Sequence, residues 1–94
     1  MWKDILKQNI SWNSKDSFAD GEARLVDTYG EQQWEITSFG IKETGKGLGE
    51  KYLREFISFL ESKEKTDDLV LIDMPVGDAI TFWERMEEKG IVMV

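Results

Sequence analysis

Between Gln33 and Ile72 the chain runs through a strand pattern, a glycine-rich turn, a long amphipathic helix and a short apolar run. That succession limits the fold more than any other feature. Antiparallel neighbours need only a hairpin, whereas a strand, helix, strand unit is the crossover that joins parallel neighbours, so at least one parallel pair is expected. The helix is the clearest element. Leu48, Tyr52, Leu53, Phe56, Ile57, Phe59 and Leu60 share one broad stripe with Glu50, Lys51, Arg54, Glu55 and Glu61 opposite, which predicts a helix over residues 48–62. Residues 69–72 (Leu-Val-Leu-Ile), ended by Asp73, Met74 and Pro75, read as a strand buried on both faces. Asp78 then offers an N-cap for a second helix over residues 79–89, with Ile80, Phe82, Trp83 and Met86 inward, Gly90 as its stop and a short strand at residues 91–94.

The N-terminal third is weaker in pattern. Trp2, Ile5 and Leu6 stand at helical spacing and predict one or two amphipathic turns, followed by a polar connector at residues 9–21. Residues 23–29 and 33–41 read as adjacent antiparallel strands around Gly30 and Glu31. The expected order is α-β-β-α-β-α-β. The fold class is α/β: a single small domain over residues 1–94 with a mixed, mostly antiparallel sheet, in which 1–22 form the N-terminal helix and connector and 23–94 the core.

The second strand of the hairpin carries an irregularity. Its apolar positions begin on even numbers, Trp34 and Ile36, and move to odd ones, Phe39 and Ile41. Two accounts fit: a one-residue bulge near Thr37 and Ser38 that returns both sets to one face, or a strand that ends near Ser38 with Phe39 in a loop.

Composition removes whole classes of chemistry. The chain has no Cys and no His, so disulfides, thiol nucleophiles, thiolate or imidazole metal sites and histidine triads are excluded, and acid–base work falls to carboxylates, Lys, Tyr, backbone or water. A net charge of −7 disfavours a nucleic-acid partner. No apolar run approaches the roughly 20 residues of a membrane span, so neither a membrane nor an export signal is expected and the default is a soluble, cytoplasmic protein.

The most informative stretch is Thr44-Gly45-Lys46-Gly47-Leu48-Gly49, set between a strand and the longest helix. Glycines there allow close approach to backbone amides at the positive end of the helix dipole, a seat for a pyrophosphate, and Lys46 adds a cation. Residues 40–47 meet the Walker A spacing until its last position, where Gly47 replaces the magnesium-binding Ser or Thr. The stretch resembles instead the signature of the GCN5-related N-acetyltransferases, Gln/Arg-x-x-Gly-x-Gly/Ala. Downstream, Ala79-Ile-Thr-Phe82-Trp83 through Gly90-Ile91 is similar to that family's Ala-x-x-Phe-Tyr-x-x-x-Gly-Phe segment, with two extra residues before the glycine.

The resemblance covers about two thirds of the chain and implies an acetyltransferase-like fold, in which acetyl-coenzyme A lies between two splayed parallel strands. Carried over, it implies that Phe39, Gly40 and Ile41 lie along the pantetheine arm. Thr44, Gly45, Lys46, Gly47, Leu48, Gly49 and Glu50 would surround the pyrophosphate, and Trp83 would stand near the thioester. Three departures bear on catalysis more than on binding: Thr44 replaces the Gln or Arg, Trp83 replaces a Tyr that protonates the departing thiolate, and the N-terminal region is short. The candidate catalytic carboxylates are Glu35 on the central strand and Asp73 at a strand end, directly or through water. The expected acceptor is an amine, on a small molecule or a protein lysine. The alternative is a non-catalytic binding or interaction protein of the same fold.

Overall fold

A computed structural model describes residues 3–42, 48–73, 77 and 79–94. The described elements are β1 (Lys3–Asn13), β2 (Ala19–Thr28), β3 (Glu31–Ile41), α1 (Gly49–Lys63), β4 (Val70–Ile72), α2 (Ala79–Glu88) and β5 (Val92–Met93). They form a small α/β domain with one five-stranded sheet in the order β1-β2-β3-β4-β5. The β1/β2 and β2/β3 ladders are long and antiparallel, while β3/β4 and β4/β5 are short and parallel, joined by α1 and α2 as crossovers.

Both helices cover the same face of the sheet. Phe39 of β3 has ring neighbours in Phe56 of α1 and in Phe82 and Trp83 of α2. The core joins Trp12, Ala23, Leu25, Trp34, Ile36, Val70, Ile72 and Val92 of the sheet to Tyr52, Leu53, Phe56, Leu60, Trp83 and Met86 of the helices. Trp34, wholly buried, satisfies its indole by donating to the Glu64 carbonyl at 2.8 Å, just past the end of α1.

The N-terminal segment differs from the sequence expectation. Residues 3–13 are an edge strand rather than amphipathic turns, and the connector shrinks to residues 14–18. The strand register slips twice, between Ile5 and Lys7 and between Lys7 and Ile10. Each slip shifts the alternation by one, so the period of two is kept only by Ile10 and Trp12, which lie beyond the second slip. The tight loop is held by Ser14, whose Oγ donates to Asp16 Oδ1 at 2.7 Å and accepts from Ala19 N at 3.0 Å. Asp16 in turn accepts from Tyr52 Oη at 2.5 Å, which ties the loop to α1.

The hairpin turns one residue earlier than Gly30 and Glu31 suggested. Thr28 faces Glu31, and the two central residues, Tyr29 (φ 53) and Gly30 (φ 88), both take left-handed backbone, as a two-residue hairpin turn matched to sheet twist requires. β4 is buried on one face only: Val70 and Ile72 are in the core, Leu71 is half-buried, and Leu69 lies exposed outside the strand. Helix α2 buries Trp83 and Met86 and half-buries Phe82, but Ile80 is exposed. It ends as expected at Gly90 (φ 75), where Gly90 N bonds to Glu87 O and Ile91 N to Met86 O. The proposed cap Asp78 lies outside the described residues. Among them, no helix is long and apolar enough to cross a membrane.

Candidate functional site

The parity switch in β3 is a bulge. Glu22 faces Ser38 and Ala23 faces Ile36, so Thr37 is the extra residue, and its Oγ1 donates to the Glu22 carbonyl at 3.3 Å. β3 continues through the bulge to Ile41, which decides between the two accounts of its pattern.

The bulge falls where β3 loses its parallel neighbour. The β3/β4 ladder pairs Glu35 with Leu71 and Ile36 with Ile72, and Asp73 N then donates to the Ile36 carbonyl at 3.2 Å. β3 runs on for five residues, 37–41, without a β4-side strand partner among the described residues. The Ile36 carbonyl points toward β4, whereas Lys42 N points the other way, to the Phe18 carbonyl at 2.7 Å. Backbone direction alternates along a strand, so an unbulged strand would aim residues 36 and 42 to the same side. Beyond the bulge it is therefore the N–H and C=O groups of Phe39 and Ile41 that face the β4 side, while those of Gly40 face β2. Among the described residues, this leaves a short run of backbone donors and acceptors without a strand partner beside the end of β4.

The remaining candidates take different places. Leu48, half-buried, precedes α1 with φ −86 and ψ −10, and the helix start has no side-chain cap. Gly49 opens the helix against Phe82: a β-carbon there would stand 2.6 Å from Phe82 Cε1, so packing between the two helices accounts for this glycine. Glu50, in the first turn, is bonded to Lys89 and to Arg54, the latter at 3.0 Å. The lysine first and the arginine second hold its carboxyl below the usual range. Lys89 follows α2, so this group ties the start of α1 to the end of α2. Thr44, Gly45, Lys46 and Gly47 lie outside the described residues.

The two carboxylates are not equivalent. Glu35 is wholly buried and sits directly across from Arg24, whose Nε donates to Glu35 Oε1 at 2.6 Å. Its neighbours Trp34 and Ile36 belong to the helix-covered core, so alternation places Glu35 on the opposite face of the sheet. Asp73 is exposed, at the point where the parallel ladder stops. Trp83 is 6 % exposed, with its ring 5.8 Å from that of Phe39 and 4.9 Å from that of Phe82. The structure thus puts Asp73 at the end of the ladder and Phe39 against Trp83 just beyond the bulge, with Ile41 farther along β3, and leaves Glu35 in an ion pair on the other face.

One feature of the bulged region was absent from the sequence reading. A concavity of about 330 Å³ lies against Ser11, Asn13, Asp20, Glu22 and Ser38. Asp20 and Glu22 face Gly40 and Ser38 across the β2/β3 ladder, and an ideal β-carbon on Gly40 would lie 3.3 Å from Asp20 Oδ1. Only the register slip at Thr37 brings Ser38 opposite Glu22, so no local sequence motif could have marked the group. Lys89 beside Glu50 was equally invisible, being 39 residues away, although Arg54 stands at the i+4 spacing that favours a helix pair.

Comparison with known proteins finds no family model, no curated protein and no solved structure that matches the chain. The class that fold and site define is therefore a small mixed-sheet α/β domain with a bulged strand beside the end of a short parallel neighbour.

Proposed function

We propose that the protein is an acetyl-coenzyme A-dependent N-acetyltransferase acting on an amine acceptor, a small molecule or a protein lysine. The observation that carries this reading is the bulge at Thr37, which turns the backbone of Phe39 and Ile41 toward a side of β3 that has no described strand partner. An extended chain bearing amide groups satisfies such an edge as a strand would. The pantetheine arm is such a chain, and the glycine stretch at residues 44–49 supplies the second half of the reading, backbone donors for its pyrophosphate.

In this reading Phe39 and Ile41 orient the thioester chain, with Gly40 keeping the strand surface open between them. The residues of the turn, Thr44 to Glu50, hold the phosphates, and Lys46 offsets part of their charge. Transfer to an amine needs the neutral amine, and Asp73, exposed at the ladder end, takes its proton directly or through water. Glu35 acts at a remove: its pair with Arg24 fixes the strand on which the site is built. Asp20 and Glu22 place negative charge on the concave side of the bulge, which favours a cationic acceptor.

Calorimetric titration with coenzyme A and acetyl-coenzyme A is the direct test, with Gly47→Glu as the control. Binding in the micromolar range is expected for the wild type and loss of it for the variant. An absence of heat at high micromolar ligand sinks the proposal. A second reading, a domain of this fold that binds the cofactor without turnover, is favoured by Trp83, since an indole does not protonate a thiolate at neutral pH. Release of free thiol in the presence of amines, lost in Asp73→Asn, separates the enzyme from the binder.

A further inference from the structure

Trp83 is buried to 6 % exposure, and among the described residues its indole N–H meets no acceptor. Its ring contacts are with Phe39 and Phe82. Trp34 is the contrast: wholly buried, it donates to the Glu64 carbonyl. A buried donor without an acceptor is costly, and native structures seldom leave one without a reason. The position of this one supplies the reason. Its ring lies 5.8 Å from that of Phe39, the residue whose backbone N–H and C=O face the β4 side of β3 past the bulge, so among the described residues an unbonded side-chain donor and a strand edge without a strand partner occur together.

We propose that the indole N–H of Trp83 donates a hydrogen bond to a carbonyl oxygen of the bound thioester chain. This rests on the acetyltransferase reading and gives Trp83 a role different from that of an acid: it orients and polarises a carbonyl and transfers no proton. The same burial that makes the free donor costly makes the bond to a ligand carbonyl strong, because no water competes for it. The two oxygens available are those of the thioester and of the nearest pantetheine amide. Acetyl-coenzyme A carries both and coenzyme A only the second.

The test uses the full chain labelled with nitrogen-15. Each of the four tryptophans gives an indole N–H resonance, and Trp83→Phe identifies the one from Trp83. On saturation with acetyl-coenzyme A that resonance is expected to move downfield, while Trp34 stays in place. A move with coenzyme A as well assigns the bond to the amide, and a move with acetyl-coenzyme A alone assigns it to the thioester. Trp83→Phe, which keeps an aromatic ring but no donor, is expected to bind about five- to tenfold more weakly, its folding being checked by thermal melting. Calorimetric binding with an unmoved Trp83 resonance, or a folded Trp83→Phe that binds as tightly as the wild type, overturns this role and leaves the function standing. No binding of either ligand brings down the function and this role together.

Discussion

A β-carbon on Gly21 would stand 2.5 Å from Phe56 Cε2 and 2.9 Å from the Ser38 carbonyl oxygen. Phe56 is wholly buried between Trp12, at 4.8 Å with nearly parallel planes, and Phe39 at 6.2 Å, so it has no free direction in which to yield. Gly21→Ala is expected to lose about 1–3 kcal/mol of stability, the usual cost of overpacking a filled core, measured by urea unfolding. Gly49→Ala meets a comparable clash, but with the rim of half-buried Phe82, and alanine regains up to about 1 kcal/mol as a better helix former. Its loss is expected to be the smaller of the two; equal losses would mean that Phe82 is held as firmly as Phe56. For Glu35 the question is whether it serves chemistry or architecture. Glu35→Ala leaves Arg24 without its partner, and because the Arg24 side chain keeps 25 % exposure the cost is expected near the ~1.5–3 kcal/mol of one charged hydrogen bond rather than the larger penalty of a fully buried pair. Arg24→Ala with Glu35→Ala together should recover part of that loss.

Deleting Thr37 tests the bulge as an element. Trp34 and Ile36 before it and Phe39 and Ile41 after it all pack toward the helices, so removal of one residue between them restores regular alternation without turning any of them outward. The expected outcome is a protein that melts no lower than the wild type yet binds acetyl-coenzyme A at least tenfold more weakly, since Phe39 and Ile41 keep their direction but the bend and added twist that the bulge gives the strand beside the ladder end are lost. Undiminished binding would show that the bulge has no part in the site. Four apolar residues narrowed the pattern to two accounts, a bulge or an early strand end, because burial fixes the face each must occupy; only the ladder decides for the bulge. The same logic failed in β1, where two register slips and a run of polar residues at the sheet edge left only Ile10 and Trp12 with the period of two. The two helices were legible from their stripes and Gly90 from its place after the last turn. The exposure of Ile80 and Leu69 was not, because it depends on how far the neighbouring elements extend. Of the candidate site, Phe39, Ile41 and Asp73 were reachable through local pattern. Asp20, Glu22 and Lys89 join it only through ladders and packing across the chain.

At the scale of the molecule, an excess of acids over bases leaves −7 charges on 94 residues, and acid pH acts on them in opposing ways. Asp16 has its carboxyl lowered from 3.8 to about 2, first by the Tyr52 hydroxyl and then by Ser14. Its contribution is therefore complete above 3.8 and lost as pH falls toward 2, and the Glu50 group, also lowered, weakens in the same direction. Glu31 is the reverse case. Its carboxyl is raised above 4.5, first by a hydrogen bond with the Asp68 side chain and then by that residue's charge, so its contribution is complete below 4.5 and lost as pH rises through the raised value. At neutral pH the two carboxylates, one at the start of β3 and one just before β4, repel each other across the sheet end opposite the bulge. Thermal melting should accordingly show greatest stability on the acid side of neutrality, with a fall as pH drops below 3.8. Glu31→Gln should raise the melting temperature at pH 7 and change it little near pH 4. Asp16→Asn should lower it at pH 7 and flatten the acid limb. Added salt should mimic Glu31→Gln at neutral pH by screening the exposed pair; a wild-type melting temperature that is highest at pH 7 and indifferent to salt would show that the Glu31 and Asp68 carboxylates are not in contact in solution.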